Sequence, residues 1–319
     1  MQGLRRCKVA VVGSFVMDLV VHAPRRPEVG ETLLGTSFAM YLGGKGINQA
    51  VAAARLGATV HMIGRVGNDQ FGKSFLRAME EEGVNGQFVI IDQEEGTGIG
   101  TPVIDEKGNN SIILIPRANT KVTVQDVEKA RVAIEEADVL TVQLELPVEA
   151  SHAAARIAKD AGRTVVLNCA PYRPIGDDFL RLVDYLVPNE VEAEQLFGIG
   201  KEDLLDAAKA RSLVKKTGCK VIVVTVGEEG SILIDAKGVR QIPAPLVQAV
   251  DSVGAGDAFV GAFCVAVGSG MDTAKAVELA NAAGALSVTR HGAMPSMPRR
   301  DELIDFLMRT RKIKDRTWE

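Results

Sequence analysis

Short apolar runs that end in small residues, each followed by a stretch with helical spacing, recur along this chain. Lys8 to Ser14 is the first, and its unbroken Val-Ala-Val-Val core is the pattern of a strand buried on both faces of a parallel sheet. Thr59 to Gly64, Val139 to Gln143, Thr164 to Asn168, Tyr185 to Val187 and Lys220 to Thr225 repeat the pattern. Ser231 to Asp235 reads as a hairpin partner of the last. Helical spacing predicts helices from the Gly43–Asn48 turn to about Leu56, over Phe71 to Glu82, and over Glu149 to Ala161. Others are predicted over Asp257 to Val267, over Asp272 to about Arg290, and from about Arg300 onward. Alternation of this kind predicts an α/β fold, a doubly wound, mostly parallel sheet with helices on both faces. No linker, repeat or low-complexity segment is evident, so residues 1–319 read as one domain.

Two stretches break the alternation, approximately residues 16–42 and 97–118. Val20 to His22, Pro24, Pro27, Gly30 and Ser37 to Tyr41 suggest short strands and turns, as do Ile99 to Ile104 and Ile112 to Ile115 around Asp105–Gly108. They read either as ordinary edge hairpins or as a small β-sheet lid whose exposed face supports a homodimer.

Composition narrows the class. Hydrophobic residues make up 46% and aromatics only 4%, so aliphatic side chains and alanine must fill the core. A formal net charge of −4 gives no electrostatic case for nucleic acid. The basic run Arg309 to Arg316 reads as a solvated helix tail. Cys7, Cys169, Cys219 and Cys264 have neither disulfide nor zinc spacing, and His22, His61, His152 and His291 form no ligand cluster. No apolar stretch is long enough to span a bilayer, and Val9 to Val12 is too short for a signal core. The expectation is a cytoplasmic protein with reduced thiols.

Chemistry is concentrated in two glycine turns and a set of acids at strand ends. Asp251-Ser-Val-Gly-Ala-Gly-Asp257 precedes an apolar helix and would leave the N–H groups of Gly254, Ala255 and Gly256 unpaired at a helix N-terminus, a natural anion site. Asp257 can cap that helix or accept a proton from an attacking hydroxyl. Gly43-Gly-Lys-Gly-Ile-Asn48 opens a second helix and lacks the spacing of a Walker A loop. Asp18, Glu145 and the pair Asn189/Glu192 fall at or just beyond strand ends, where ligands of open α/β sheets gather. Acidic residues in the first turn after Pro188 read equally as complements to the helix dipole.

Taken in order, Gly13-Ser14…Asp18, Gly30-Glu31-Thr32, Gly43 to Ala53, Gln143-Leu144-Glu145, Pro188 to Glu194, Asp251 to Asp257 and Val288 to Ser296 resemble the ribokinase-like (phosphofructokinase-B type) carbohydrate kinases over nearly the whole chain. The resemblance implies transfer of the γ-phosphoryl group of ATP to the primary hydroxyl of a sugar, D-ribose first. Asp257 would be the base, and the amides of Gly254, Ala255, Gly256 and Asp257 the anion hole. Asp18, Gly44, Lys45, Asn48 and Glu145 would hold the sugar. Asn189 would meet the phosphates, Thr225, Val226, Gly227, Glu228 and Gly230 the ribose of the nucleotide, and Asn281 would lie near the adenine. Mg²⁺ would be held by Glu192 through water. A potassium ion would take the side chains of Asp251 and Ser296 and the carbonyls of Val253, Ser287, Arg290 and Gly292.

One position departs from that pattern. The family's ribose kinases commonly carry Asn two residues before the sugar-binding aspartate, and Val16 stands there. Valine cannot hydrogen-bond a hydroxyl, and the want of such a bond shifts discrimination by ~1–3 kcal/mol. Deoxyribose, another pentose, a keto-sugar or a nucleoside such as pseudouridine are therefore alternatives. A non-catalytic sugar or nucleotide sensor would not need Asp257. A dinucleotide-binding dehydrogenase is excluded because the first strand turn lacks G-x-G-x-x-G.

Overall fold

A computed structural model describes residues 6–311. Nine strands make up the main sheet: β1 (Lys8–Val12), β4 (Thr59–Gly67), β5 (Val84–Asp92), β8 (Val139–Val142), β9 (Thr164–Asn168), β10 (Tyr185–Val187), β11 (Val221–Thr225), β12 (Ser231–Asp235) and β13 (Gly238–Ile242). Their order across the sheet is β13-β12-β11-β10-β9-β8-β1-β4-β5. From β5 to β11 all pairings are parallel, and β12 and β13 add antiparallel pairs at one edge.

Side-chain alternation on β1 explains the two-sided burial. Val9 and Val11 join one apolar core with the helices Lys45–Arg55, Gln70–Glu81, Ala255–Gly268 and Thr273–Ser287. Ala10 and Val12 join a second core with residues of Val148–Asp160 and Ala207–Thr217. The chain winds outward from β1 through β4 and β5 on one side and, returning, through β8 to β11 on the other. The order therefore reverses between β1 and β8, where a crevice opens at the carboxyl ends of the strands. Ser14 follows β1 there, and Gln143 and Glu145 follow β8.

The two irregular stretches form a second, mixed sheet from β2 (Val16–His22), β3 (Ser37–Gly43), β6 (Gly98–Ile104) and β7 (Asn110–Ile115), in the order β3-β2-β6-β7. Because β2 leaves the end of β1 after a short turn and β3 runs into the glycine loop, this sheet stands beside the crevice. Its outer strands expose Phe38, Met40 and Ile112 to Ile115.

Two helices meet directly under the crevice. A Cβ added at Gly261 would lie 2.5 Å from the Cβ of Ala52, so helix Ala255–Gly268 crosses Lys45–Arg55 at backbone contact. The final helix, Arg300–Arg311, covers one face, and the rest of the basic run to Arg316 lies outside the described residues. Among the described residues no helix is long and apolar enough to cross a membrane, and Cys7, Cys169, Cys219 and Cys264 are all buried and unpaired as disulfides.

Candidate active site

Asp257 is the third residue of helix Ala255–Gly268, which starts after Gly254 in the left-handed region (φ 81°). A β-carbon there would strain the backbone and press on Ala293 at 3.1 Å. The Asp257 carboxylate does not cap its helix. It turns instead to Lys45–Arg55, where Asn48 Nδ2 donates to Oδ2 at 2.9 Å and Gln49 Nε2 to Oδ1 at 3.0 Å. Of the amides expected to form the anion hole, that of Ala255 makes a long turn bond to Ser252 O (3.3 Å). A Cβ at Gly256 would meet only open space. Burial raises the pKa of Asp257 despite Lys45, Asn48 and Gln49, and the charge of Glu145 adds to the rise.

The other acids converge on the same point. Glu145 accepts from Ser14 Oγ and from the backbone N–H of Lys45 (3.0 Å). Asp18 fits between two glycines on the strands flanking β2: a Cβ at Gly43 would lie 2.5 Å from its Oδ2, and one at Gly100 would clash with its Oδ1. Burial, then the charges of Glu145 and Asp257, push the Asp18 carboxyl up to about 7. For Lys45, burial opposes ionisation, but Asp257, Glu145 and Glu192 outweigh it and raise the pKa. The group is thus a cluster of carboxylates with one ammonium among them. Val16, 4% exposed, shares the face of β2 that carries Asp18 and contributes no hydrogen bond from its side chain.

A cleft of about 660 Å³ extends from Asp257 along the strand ends. Lys45, Asn168, Asn189, Glu192, Thr225, Gly227, Glu228, Gly230, Gly254, Ala255, Gly256 and Asn281 line it. Val226 does not, being 3% exposed within the core. Asn189 and Glu192 form a capping box with two 2.8 Å bonds, so the helix-terminus reading and the ligand reading fall on the same pair. The box uses one oxygen of each side chain. Burial raises the pKa of Glu192, with the Asn189 amide and Lys45 opposing. Asn281 borders the cleft, but its amide is spent inside the protein, donating to Ile242 O (2.9 Å) and accepting from Ser231 Oγ (2.6 Å). It forms a wall there.

The residues assigned to a potassium site are clasped together. Val250 and Asp251 N–H donate to Val288 O, and Asp251 accepts from Val253 N (3.0 Å) and Gly292 N (2.9 Å). Ser296 Oγ donates to Ala293 O, Ser287 Oγ to Gly284 O, and Arg290 pairs with Glu302. Sequence reasoning gave no role to Ser14, Gln49, Gln143 or Asn168, although Gln49 touches Asp257 directly. A buried Gln one residue past Asn48 has no signal of its own in a single sequence.

The raised pKa of Asp18 has a consequence for stability. The folded protein holds this proton more tightly than the unfolded chain does, so stability falls as pH rises from about 4 to about 7. Asp18→Asn is expected to unfold at a higher temperature than the parent at pH 8, with the gain shrinking toward pH 4.5. Thermal unfolding across that range checks it, and an equal difference at both pH values would contradict the assignment.

The pattern of the pfkB family carbohydrate kinases matches residues 6–300. A ribokinase from Haemophilus influenzae is 38% identical over 303 residues, 95% of this chain and 99% of that one. A deoxyribokinase from Salmonella typhi is 35% identical over 94% of this chain and 98% of its own length. The solved structure of Arabidopsis thaliana ribokinase complexed with ribose and ATP superposes with a TM-score of 0.87 at 32% identity, covering 95% of this chain and 99% of that one. With its acid cluster, nucleotide-sized cleft and open helix N-terminus set on that fold, this chain belongs to the pfkB family of carbohydrate kinases and phosphorylates a carbohydrate hydroxyl.

Proposed function

We propose that this enzyme transfers the γ-phosphoryl group of ATP to the primary 5-hydroxyl of D-ribose, the whole chain acting as one catalytic unit. The observation that carries the reading is the buried Asp257 carboxylate beside an uncapped helix N-terminus, at the junction of the acid cluster and the cleft. Asp18, Glu145 and Asn48 hold the sugar. Carboxylates each accept two hydroxyls, and Asn48 Oδ1, buried without a partner, is an acceptor that a sugar O–H would satisfy. Asp257 accepts the proton as the hydroxyl oxygen forms its bond to phosphorus and the bond to the ADP oxygen breaks. The amides of Gly254, Gly256 and Asp257, with a weaker share from Ala255, face the charge on the transferring group. Lys45 reaches both subsites and offsets that charge.

Glu192 offers one carboxylate, and among the described residues no group of three or more His, Cys, Asp or Glu could hold a metal alone. That donor set fits Mg²⁺ carried mainly by nucleotide phosphates and water, which lowers the charge on the phosphates. The oxygens of Asp251, Ser296 and the carbonyls of Val253, Ser287, Arg290 and Gly292 are all hard donors, as potassium needs, and would stiffen the loop that leads into the anion hole. Buried cysteines that form no disulfide suit the cytoplasm. Phe38, Met40 and Ile113, 59%, 58% and 69% exposed on the outer strands of the small sheet, favour a second copy as partner.

A second substrate reading, 2-deoxy-D-ribose, is favoured by one observation: the apolar Val16 beside Asp18, which offers a hydroxyl no hydrogen bond.

An ADP-release assay over D-ribose, 2-deoxy-D-ribose, a keto-sugar and pseudouridine tests the reading. Turnover with ribose is expected, falling by at least ~10² in Asp257→Asn and higher in potassium than in sodium chloride. A loss under tenfold rules out the base role, and equal rates in the two salts rule out the cation site. Val16→Asn is expected to raise the ribose-to-deoxyribose ratio of kcat/KM by roughly tenfold. An unchanged ratio means that residue 16 does not read the sugar. Light scattering is expected to give a dimer for the parent chain and a monomer for Ile113→Lys; identical masses would remove the small sheet as the interface.

A further inference from the structure

Gln49 is completely buried and lines neither subsite, yet it is the centre of the polar network behind Asp257. Its Nε2 donates to Asp257 Oδ1 (3.0 Å) and to Asn168 Oδ1 (3.1 Å). Its Oε1 accepts from Thr141 Oγ1 (3.2 Å) and from Gln143 Nε2 (2.6 Å). Asn168 in turn donates through Nδ2 to Val187 O at 2.9 Å. A carbonyl oxygen only accepts, so that last bond fixes which end of Asn168 faces Gln49. Two oxygens, one of them charged, then converge on a single Gln49 atom, and only its NH₂ end satisfies both. Turned over, Gln49 would set oxygen against oxygen on one side and amide against amide on the other.

The network ties the ends of three adjacent strands to the two crossing helices: Thr141 of β8 with Gln143 just beyond it, Asn168 of β9 and Val187 of β10. A methionine would fill the space of the Gln49 side chain with no polar requirement of its own. Gln143 Oε1 is even left without a partner. Such an arrangement is costly for packing alone, and it reaches the ligand sites at Asp257 and at Asn168, which borders the cleft.

We propose that Gln49 is the positioning residue of the proton acceptor, its amide locked by Thr141, Gln143 and Asn168 so that it keeps the Asp257 carboxylate ionised and fixed in place. The groups that act on this carboxylate are Asn48, Gln49, Lys45, Glu145, Asp18 and Glu192, and among the described residues the first two bond it. Removing one of two hydrogen bonds to the charged form favours the neutral acid. The inference rests on the reading of Asp257 as base.

Carbon-13 NMR of the full chain, labelled at aspartate side-chain carboxyls, measures the titration without substrate. The Asp257 signal is the one absent from Asp257→Asn. In Gln49→Met its midpoint is expected to move up by about one pH unit; an unmoved midpoint overturns the proposal. Should that variant fail to fold, Gln49→Leu likewise removes the donor and is expected to raise the same midpoint, with the same contrary result. A parallel kcat–pH profile with ATP, Mg²⁺ and D-ribose is expected to show the acid limb of Gln49→Met shifted upward while both KM values stay within about threefold. If Asp257→Asn keeps its turnover, the base reading fails; if it loses turnover and the Gln49→Met midpoint does not move, the positioning role alone fails.

Discussion

A buried carboxylate shared between two helices is the constraint on which the rest of this site depends. Taking Asp257 out of water would cost several kcal/mol without compensation. Compensation comes from Asn48 and Gln49 across the helix crossing, and from the charge of Lys45. Those donors reach only because Gly261 lets helix Ala255–Gly268 approach Ala52 at backbone contact. Any side chain there would push the helices apart and leave the carboxylate alone in a low dielectric. Asp257 does not cap its own helix, which keeps the helix N-terminus available for an anion. A structural cost at one end of a side chain thus opens the electrostatic site at the other.

Charge balance follows from the same crossing. Asp18, Glu145, Asp257 and Glu192 all act on or near Lys45, and two of them raise the pKa of Asp18. Without a ligand this cluster is under repulsion that a proton on Asp18 relieves at neutral pH. On the proposed reading a polyhydroxylated substrate would relieve it differently, by donating several O–H groups to the same oxygens, which matches the site to an alcohol more than to a second anion. The glycines at positions 43 and 100 hold the slot in which Asp18 stands. The small sheet therefore forms a wall of the acid cluster as well as an exposed face.

Much of this was legible from pattern. The strands Thr164–Asn168, Tyr185–Val187 and Ser231–Asp235 coincide with their apolar runs because each is short, buried and ended by a turn residue. β5 (Val84–Asp92) escaped because Asn85, Gly86 and Gln87 interrupt its apolar run, which an edge strand tolerates. The short helices Val124–Lys129 and Arg131–Glu136 are too brief for a periodic signal. Both glycine turns could be placed, since their composition has a local mechanical cause. The direction of side chains could not: Asp257 as a helix cap and Val226 as a cleft residue were both reasonable from position, and packing decided otherwise. Gln49, the neighbouring Thr141 and Gln143, and Asn168 lie far apart in sequence, and each alone reads as an ordinary buried polar residue.

Everything in this mechanism turns on where the accepting hydroxyl lies. A crystal structure of the chain with D-ribose, Mg²⁺ and a non-hydrolysable ATP analogue measures that directly. The primary hydroxyl oxygen is predicted within about 3.2 Å of an Asp257 carboxylate oxygen and on the line through the γ-phosphorus to its leaving oxygen. A hydroxyl held by Asp18 or Glu145 instead, with Asp257 out of reach, would contradict it.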